Sequence, residues 1–249
     1  MDLSLIYSRA LSGVAAPLVE VETHLSNGLP SFHIVGLPET AVRESKDRVR
    51  CAILNSHFKF PDRRITVNLA PADLPKEGGR FDLPIALGIL SASGQLSSRL
   101  LGHCECLGEL ALDGSLRAVP GVIPAASASA RDQRALALPR RSAALAARVP
   151  GSEVIAASDL ATLCAHLNGN APICAAKPGP GLAAIEENYP DLNEVRGQAP
   201  AKRALEVAAA GGHNLLLYGP PGTGKPLLAS RLPGILPPPS PEELLTGLA

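Results

Sequence analysis

Alternating apolar and polar side chains predict the first strands of the chain. Residues 18–25 have the sequence LVEVETHL, and this alternation places every second side chain on one face of a strand. The side chains expected on the buried face are Val19, Val21 and Thr23, and those expected on the other face are Glu20, Glu22 and His24. Residues 31–35 and 64–69 have a similar apolar and β-branched character, which predicts two more strands.

A helical spacing replaces the alternation after Pro38. In residues 39–55, ETAVRESKDRVRCAILN, the side chains of Val42, Val49 and Ile53 recur at intervals that form one apolar stripe. Pro38 stands where proline is favoured, at the beginning of a helix. The pattern therefore predicts an amphipathic helix that buries this stripe.

The same helix carries several basic residues, which raises the question of a nucleic-acid surface. Glu39 precedes Arg43 by four positions, and Glu44 precedes Arg48 by four. Pairs at this spacing with the acid first stabilise a solvated helix. The pattern favours a water-facing surface over a nucleic-acid contact.

Further blocks complete the first part of the chain. Residues 81–94 and 121–131 have helical apolar spacing, residues 106–112 predict a strand, and Asp113-Gly114 is a strong hairpin signal. Two short strand and helix units follow and end near Leu167. This mixture of elements predicts an α+β domain.

The composition changes after residue 168. Residues 169–190, GNAPICAAKPGPGLAAIEENYP, hold four prolines, which is typical of a linker. The sequence therefore predicts a domain at residues 1–168, a linker at 169–190 and a second module at 191–249.

Composition and charge indicate which kinds of molecule the chain is suited to bind. The chain has 249 residues, 46% of them apolar, and its 23 basic and 23 acidic residues give a formal net charge of zero. No bulk field therefore favours nucleic acid or an anionic membrane. The apolar runs are far shorter than the roughly 20 residues of a membrane span, and the first residues lack a signal-peptide pattern. We expect a cytoplasmic protein with no membrane partner.

Five cysteines at irregular spacing are typical of free thiols in a reducing compartment. Among them, the stretch His103-Cys104-Glu105-Cys106 raises the possibility of a metal site. On a strand, Cys104 and Cys106 share one face, which leaves two sulfur ligands and no second pair at zinc spacing. Buried thiols are the favoured interpretation, and a metal site is the alternative.

Residues 219–226, GPPGTGKP, carry the main candidate chemistry. The apolar run HNLLLY precedes them and LLASRL follows with helical spacing, which is the strand, glycine loop and helix order of a phosphate-binding loop. Glycines let the backbone turn its N–H groups toward a phosphate, and the lysine reaches the terminal phosphates. The candidate nucleotide-binding residues are Gly219, Pro220, Pro221, Gly222, Thr223, Gly224, Lys225 and Pro226.

Pro226 stands where such a loop has a serine or threonine. That residue supplies a hydroxyl to Mg²⁺ and a backbone N–H to the phosphates, and proline has neither group. Proline is tolerated in the first turn of a helix, but it disfavours the helical region for the residue before it, here Lys225. We expect weak or absent ATP binding, with the affinity for Mg-ATP lowered about 10²-fold or more.

Four stretches together form a specific pattern over nearly all of the chain. They are NGLPSFHIVGLPETAVRESKDRVRCAI, ITVNLAPADLPKEGGRFDLPIALGIL, LGELALDGSLRAVPGV and EVRGQAPAKRALEVAAAGGHNLLLYGPPGTGK. In these stretches the chain resembles the ComM/YifB family of bacterial Mg-chelatase-like AAA+ ATPases. The resemblance implies a domain similar to the proteolytic C-terminal domain of Lon over residues 1–168, followed by the start of a P-loop α/β AAA+ module.

The same resemblance implies what the full-length proteins bind and do. It implies ATP and Mg²⁺ as cofactors, a homo-hexamer, DNA as a partner, and a branch-migration helicase function in natural transformation. It also implies that this chain is the N-terminal portion of such a protein and ends soon after the Walker A loop.

The likeness to Lon raises a second enzyme class, a serine-lysine peptidase. Where Lon has its nucleophile, this chain has Arg80 within PKEGGRFD, and where Lon has its lysine, this chain has Pro120-Gly121-Val122-Ile123. Acyl transfer by such a peptidase requires a nucleophile and a base, and these two turns supply neither. We therefore expect no peptidase activity.

The surrounding loop, ADLPKEGGRFDLP, then needs another role. Lys76, Glu77, Arg80 and Asp82 form a cluster of mixed charge around Gly78-Gly79 in this loop. The sequence favours a rigid turn held by local ion pairs, with Asp82 capping the next helix, over a subunit or DNA contact.

ATP hydrolysis by an AAA+ protein needs parts that the sequence after Lys225 does not offer. These parts are an acidic strand end, a polar sensor and an arginine from a neighbouring subunit. Glu242 and Glu243 lie in a predicted helix start after Ser240 and cannot serve as the strand end. We expect the chain to be defective in ATP turnover, and the alternative is a non-catalytic interaction or oligomerisation module.

The resemblance makes residues 191–249 only part of an AAA+ module. A partial sheet with an uncovered apolar face is unstable on its own. We therefore expect this region to be mobile or aggregation-prone, whereas residues 1–168 fold.

Overall fold

The computed structural model describes residues 2–37, 39, 42, 44–97, 99–179, 189–237, 239, 243 and 247. Three expectations lie outside these residues: Pro38 as the helix start, the pair of Glu39 with Arg43, and a helix start at Ser240. The chain divides into two compact units, the first comprising residues up to Gly179 and the second beginning after it.

The first unit is built on a seven-stranded mixed sheet with the strand order β3-β4-β2-β1-β5-β8-β9. The strands are β1 Leu3–Arg9, β2 Leu18–Ser26, β3 Ser31–Val35, β4 Arg64–Ala70, β5 Cys104–Cys106, β6 Glu109–Leu110, β7 Leu116–Arg117, β8 Ala135–Pro139 and β9 Val154–Ala157. β2 runs antiparallel to both of its neighbours, and the other four pairs in the sheet are parallel. A mixed α/β fold is thereby confirmed, and the likeness to the Lon domain stays a prediction.

The alternation in β2 has the predicted outcome. Val19, Val21 and Thr23 are fully buried, whereas Glu20 and Glu22 are half-buried on the other face. β2 lies between β1 and β4, so its apolar face becomes the centre of the core. Period-two patterning fixes which face is buried because a shift by one residue would expose the whole apolar set.

Helices cover the sheet and complete two apolar clusters. The helices of this unit are α1 Ser45–Asn55, α2 Asp82–Ala92, α3 Val122–Arg131, α4 Arg140–Ala146 and α5 Leu160–Leu167. One cluster includes α1, α2 and α5, and the other includes α3 and α4. Adjacent residues of β8 belong to different clusters, Ala137 to the first and Leu138 to the second. The clusters therefore lie on opposite faces of the sheet.

The predicted helical stripe is buried, with Val42, Val49 and Ile53 at the core. The strand predicted at residues 106–112 is split instead. Gly108 N donates to Arg80 O and Leu83 N donates to Gly108 O, so the chain leaves the sheet to contact the start of α2. β6 then pairs with β7 around the predicted Asp113-Gly114 turn.

Part of the predicted linker belongs to the first unit. Ala176 N donates to Val154 O at 2.8 Å, Gly179 N donates to Ala144 O at 3.2 Å, and Ala175 forms a bridge with Ile155. These residues run beside β9, the last strand of the sheet. Residues 180–188 lie outside the described part, and the predicted domain limits stay a prediction.

The described part of the second unit is helical and small. Its elements are a 3₁₀ turn at Leu192–Glu194 and the helices α6 Ala199–Gly211, α7 Lys225–Ala229 and α8 Leu232–Ile235. Its apolar cluster contains Leu192, Val195, Leu205 and Leu228. The strand expected at residues 213–218 is not formed, because no other described segment pairs with it. Across the described residues of the chain, no helix is long and apolar enough to cross a membrane.

Candidate functional site

The candidate phosphate loop, residues 219–226, leads into α7. Gly222 and Gly224 have φ angles of 82° and 80°, in the left-handed region that glycine adopts without strain. Gly224 directly precedes α7, and Lys225 and Pro226 are the first two residues of that helix. The glycine pattern therefore folds into the loop-to-helix turn that the sequence predicted.

The side chain of Lys225 folds back over this loop. Its Nζ donates to Gly219 O at 2.8 Å and to Pro220 O at 2.7 Å. The hydroxyl of Thr223 donates to the same Pro220 O at 3.0 Å. The loop carbonyls thus hold the ammonium against the loop, where it is the cationic group that an incoming phosphate would meet.

The groups present suit a phosphate better than a metal ion. A Cβ on Gly222 would meet no atom within 4 Å, so the backbone is open at this point of the loop. Backbone N–H groups and a lysine are the donors that phosphate loops use. Position 226 has no hydroxyl for Mg²⁺, and the described residues contain no group of three His, Cys, Asp or Glu side chains placed to hold a metal ion.

Pro226 fits the helix that follows the loop. As the second residue of α7 it has no intrahelical acceptor to lose, because the N–H groups of a first turn are unpaired. The expected displacement of Lys225 from the helical conformation is wrong, since Lys225 is the first residue of α7. Gly224, with a φ of 80°, makes the sharp turn one residue earlier.

The structure adds Gln198 to the loop residues. Gln198 directly precedes α6, and its Nε2 donates to Thr223 O at 2.8 Å. No sequence signal predicts this contact, because a single glutamine has no motif of its own and the hydrogen bond spans 25 positions.

The charged residues of the ADLPKEGGRFDLP loop do not pair with one another, so the expected cluster of local ion pairs is wrong. Lys76 is fully buried and its Nζ donates to Pro71 O. Arg80 is also buried, and it donates to Pro120 O at 2.8 Å. Burial lowers the pKa of both cations. Both partners are backbone carbonyls: Pro71 lies five residues before Lys76, and Pro120 lies forty residues after Arg80. The sequence pattern indicated neither contact.

Asp82 does not cap α2 as expected. Its carboxylate accepts from Arg48 Nε at 2.8 Å and from Leu110 N at 3.3 Å. Burial raises the pKa of Asp82 to about 6, although the hydrogen bond from Arg48 acts in the opposite direction. Asp82 therefore connects to α1 through a partly buried ion pair and to β6 through a hydrogen bond from the backbone.

The two turns considered for a peptidase do meet. Arg80 touches Pro120 O, and Pro120 begins the turn where the Lon-like base was sought. A guanidinium and a backbone carbonyl supply neither a nucleophile nor a general base. The meeting of these turns is accounted for by hydrogen bonding alone.

The His103–Cys106 stretch places its side chains as the strand pattern predicted. Cys104 and Cys106 are buried with their Sγ atoms 3.9 Å apart. The hydrogen bond with Cys104, together with burial, raises the pKa of Cys106, which keeps this thiol protonated. Glu105 is buried and accepts from Arg9 Nε at 2.7 Å and from Arg9 Nη2 at 2.6 Å.

Comparisons with known proteins agree along both units. Residues 21–142 match the family model described as subunit ChlI of Mg-chelatase, and residues 191–248 match the model described as magnesium chelatase, subunit ChlI. The chain is 53% identical to Competence protein ComM of Haemophilus influenzae over 240 residues, which is 95% of this chain and 47% of that protein.

Two further relatives are similar over the whole chain. The uncharacterized protein YifB of Salmonella typhimurium is 50% identical over 253 residues, and YifB of Escherichia coli is 48% identical over 249 residues. In both cases the match includes 100% of this chain and 49% of the relative. The chain therefore spans about half the length of the curated relatives it matches.

Proposed function

The chain belongs to the Mg-chelatase-like AAA+ family that includes ComM and YifB, and we propose that it is part of an ATP-driven DNA motor whose own loop is defective in ATP turnover. In this proposal the full-length motor is a homo-hexamer that acts on DNA during natural transformation. The name of one relative, Competence protein ComM, supports a role in natural transformation. The match to the ChlI family supports ATP and Mg²⁺ as cofactors.

One observation carries the proposal: an intact glycine and lysine loop followed by proline. Gly222, Gly224 and Lys225 provide the turn and the cation that phosphates require. Pro226 removes the N–H that would bind phosphate and the hydroxyl that would bind Mg²⁺. Two lost hydrogen bonds to charged groups lower the affinity for Mg-ATP by about 10²-fold or more.

Two substitutions at position 226 separate the effect of the missing backbone N–H from that of the missing hydroxyl. Pro226→Ala restores the backbone N–H without a hydroxyl, and Pro226→Thr restores both. Because Pro226 already has a helical conformation, both variants keep the backbone of α7. We expect Pro226→Ala to bind ATP about tenfold more tightly than the unsubstituted chain with or without Mg²⁺, and Pro226→Thr to gain about another tenfold only when Mg²⁺ is present.

Titration calorimetry with ATP, with and without Mg²⁺, measures these affinities on the full chain. Pro233→Thr is the matched control, since Pro233 is likewise the second residue of a short helix, α8, and lies outside the loop. A micromolar dissociation constant for Mg-ATP in the unsubstituted chain would contradict the proposed defect. Binding by none of the variants, together with stable self-assembly of the chain, would instead favour the non-catalytic module.

A further inference from the structure

A glutamine outside the phosphate loop holds one of the loop's peptide groups. Gln198 Nε2 donates to Thr223 O at 2.8 Å. The main chain of Gln198 is itself fixed by α6, because Gln198 O accepts from Lys202 N at 3.0 Å. The side chain therefore connects the first turn of α6 to the loop.

The backbone of Gln198 is in a conformation that non-glycine residues seldom adopt. Its φ is 57°, and the preceding residue, Gly197, has a φ of 70°. Such conformations persist where the surrounding structure holds them, and they cluster at functional sites. Here the unusual main chain directs an uncharged amide, rather than a charged group, at the loop.

Because the peptide is planar, the hydrogen bond from Gln198 to Thr223 O also restricts the direction of the Gly224 N–H. In the described residues the peptide between Thr223 and Gly224 is trans, so its C=O and N–H point in opposite directions. With Thr223 O held by Gln198, Gly224 N–H must point away from Gln198. In the described structure this N–H has no backbone acceptor, so it is available to a ligand.

We propose that Gln198 is a positioning residue of the phosphate loop, which fixes the Thr223–Gly224 peptide so that the Gly224 N–H faces the phosphate. Lys225 cannot perform this task, because its ammonium bonds to Gly219 O and Pro220 O and must leave them to meet a phosphate. Gln198 is uncharged and holds a carbonyl that phosphate does not use. Its hydrogen bond can therefore persist when the loop is filled.

The identity of the ligand rests on the proposed function, but the positioning of the peptide does not. The first test therefore uses no ligand. In Gln198→Gly the amide is removed, and the left-handed backbone becomes favourable, so the variant should fold. Gln133→Gly is the matched control: Gln133 has a φ of 53° in the first unit, and its side chain makes no hydrogen bond in the described structure.

Backbone NMR of the full chain provides the readout. We expect the Gly224 amide resonance to shift or broaden in Gln198→Gly and to stay unchanged in Gln133→Gly, while the thermal unfolding midpoint changes little in either. A purely structural role of Gln198 would lower the midpoint and leave this resonance in place. An unchanged Gly224 resonance in Gln198→Gly overturns the proposal whatever the nucleotide affinities are.

The second test adds nucleotide in the Pro226→Thr background. We expect Gln198→Gly to raise the dissociation constant for Mg-ATP about tenfold, the worth of one hydrogen-bonded donor held in place, and Gln133→Gly to leave it unchanged. If Pro226→Thr binds no Mg-ATP, the proposed function fails, and the NMR result alone decides the role of Gln198. If Pro226→Thr binds Mg-ATP equally well with and without Gln198, the positioning role is overturned.

Discussion

In the first unit, two apolar clusters lie on opposite faces of a seven-stranded sheet, whereas the described part of the second unit has one cluster of four buried apolar side chains and no strand. Both units expose some large apolar side chains, such as Leu29 at 89% in the first unit. Leu216 is 84% exposed and Tyr218 is 90% exposed, both within the segment that leads into the phosphate loop. Burial of apolar area is the main favourable contribution to folding. The two units therefore differ in the contribution that stabilises a folded state most.

Buried charge shows the same contrast. In the first unit Arg9 and Glu105 form a two-bond ion pair that is 5% and 0% exposed, whereas Arg203 and Glu206 in α6 are 75% and 50% exposed. Removing one partner of a buried ion pair destabilises the fold strongly, whereas an exposed ion pair contributes little to stability. The candidate phosphate loop thus lies in the unit with less supporting structure, where its polar contacts include that of Gln198 with Thr223 O.

The largest expected difference between the units is in amide hydrogen exchange. We expect the amides of β2 and β4 to exchange only on global unfolding, and those of α6 to exchange about 10⁴-fold faster, because few buried side chains hold that helix. Exchange measured by mass spectrometry on the intact chain gives both values. Equal protection in the two units would break the comparison.

Removing one partner of a buried ion pair should give the next largest effect. Arg9→Met leaves the carboxylate of Glu105 buried with much of its compensation lost, and we expect the free energy of unfolding of the first unit to fall by about 3–5 kcal/mol. Arg203→Met is the matched change in the second unit, and we expect it to cost less than about 0.5 kcal/mol. Denaturant unfolding measures both. A similar cost at the two positions would mean that burial does not distinguish the pairs.

The pH dependence of stability should give a smaller effect, confined to the first unit. The folded-state pKa of Asp82 is raised by burial from 3.8 to about 6. The folded state then holds the proton more tightly, so this contribution to stability is present below pH 3.8 and is lost as the pH rises through 6. Its full size is about 3 kcal/mol, and only part of it is gained by pH 4.5.

Asp82→Asn removes this titration, so the comparison is between the two pH profiles. Between pH 7 and pH 4.5 we expect the unsubstituted chain to gain about 1–2 kcal/mol of unfolding free energy relative to Asp82→Asn. Asp113→Asn is the control: Asp113 is exposed and the hydroxyl of Ser115 lowers its pKa, so its contribution has the opposite sign. Parallel profiles for the unsubstituted chain and Asp82→Asn would show that Asp82 does not titrate in this range.

Most of the first unit's secondary structure could be predicted from the sequence. β2, β3, β4, α2 and α3 lie close to the predicted ranges, because period-two and helical apolar patterns depend on neighbouring residues. The charged ADLPKEGGRFDLP loop could not be predicted in the same way. Arg80 and Asp82 bond to Pro120 and Arg48, which are far apart in the sequence, so local spacing suggested the wrong partners.

The candidate site likewise has features that depend on local residue spacing and features that depend on contacts between distant segments. The sequence by itself determined the family, the Gly219–Lys225 loop and the missing hydroxyl at Pro226, because each depends on residue type at fixed local spacing. Only the tertiary structure decided that Lys225 stays helical beside Pro226, that Gln198 reaches Thr223, and that the apolar run at 213–218 has no partner strand among the described residues. The physical reason is that hydrogen bonds between distant segments form only once the chain has brought those segments together.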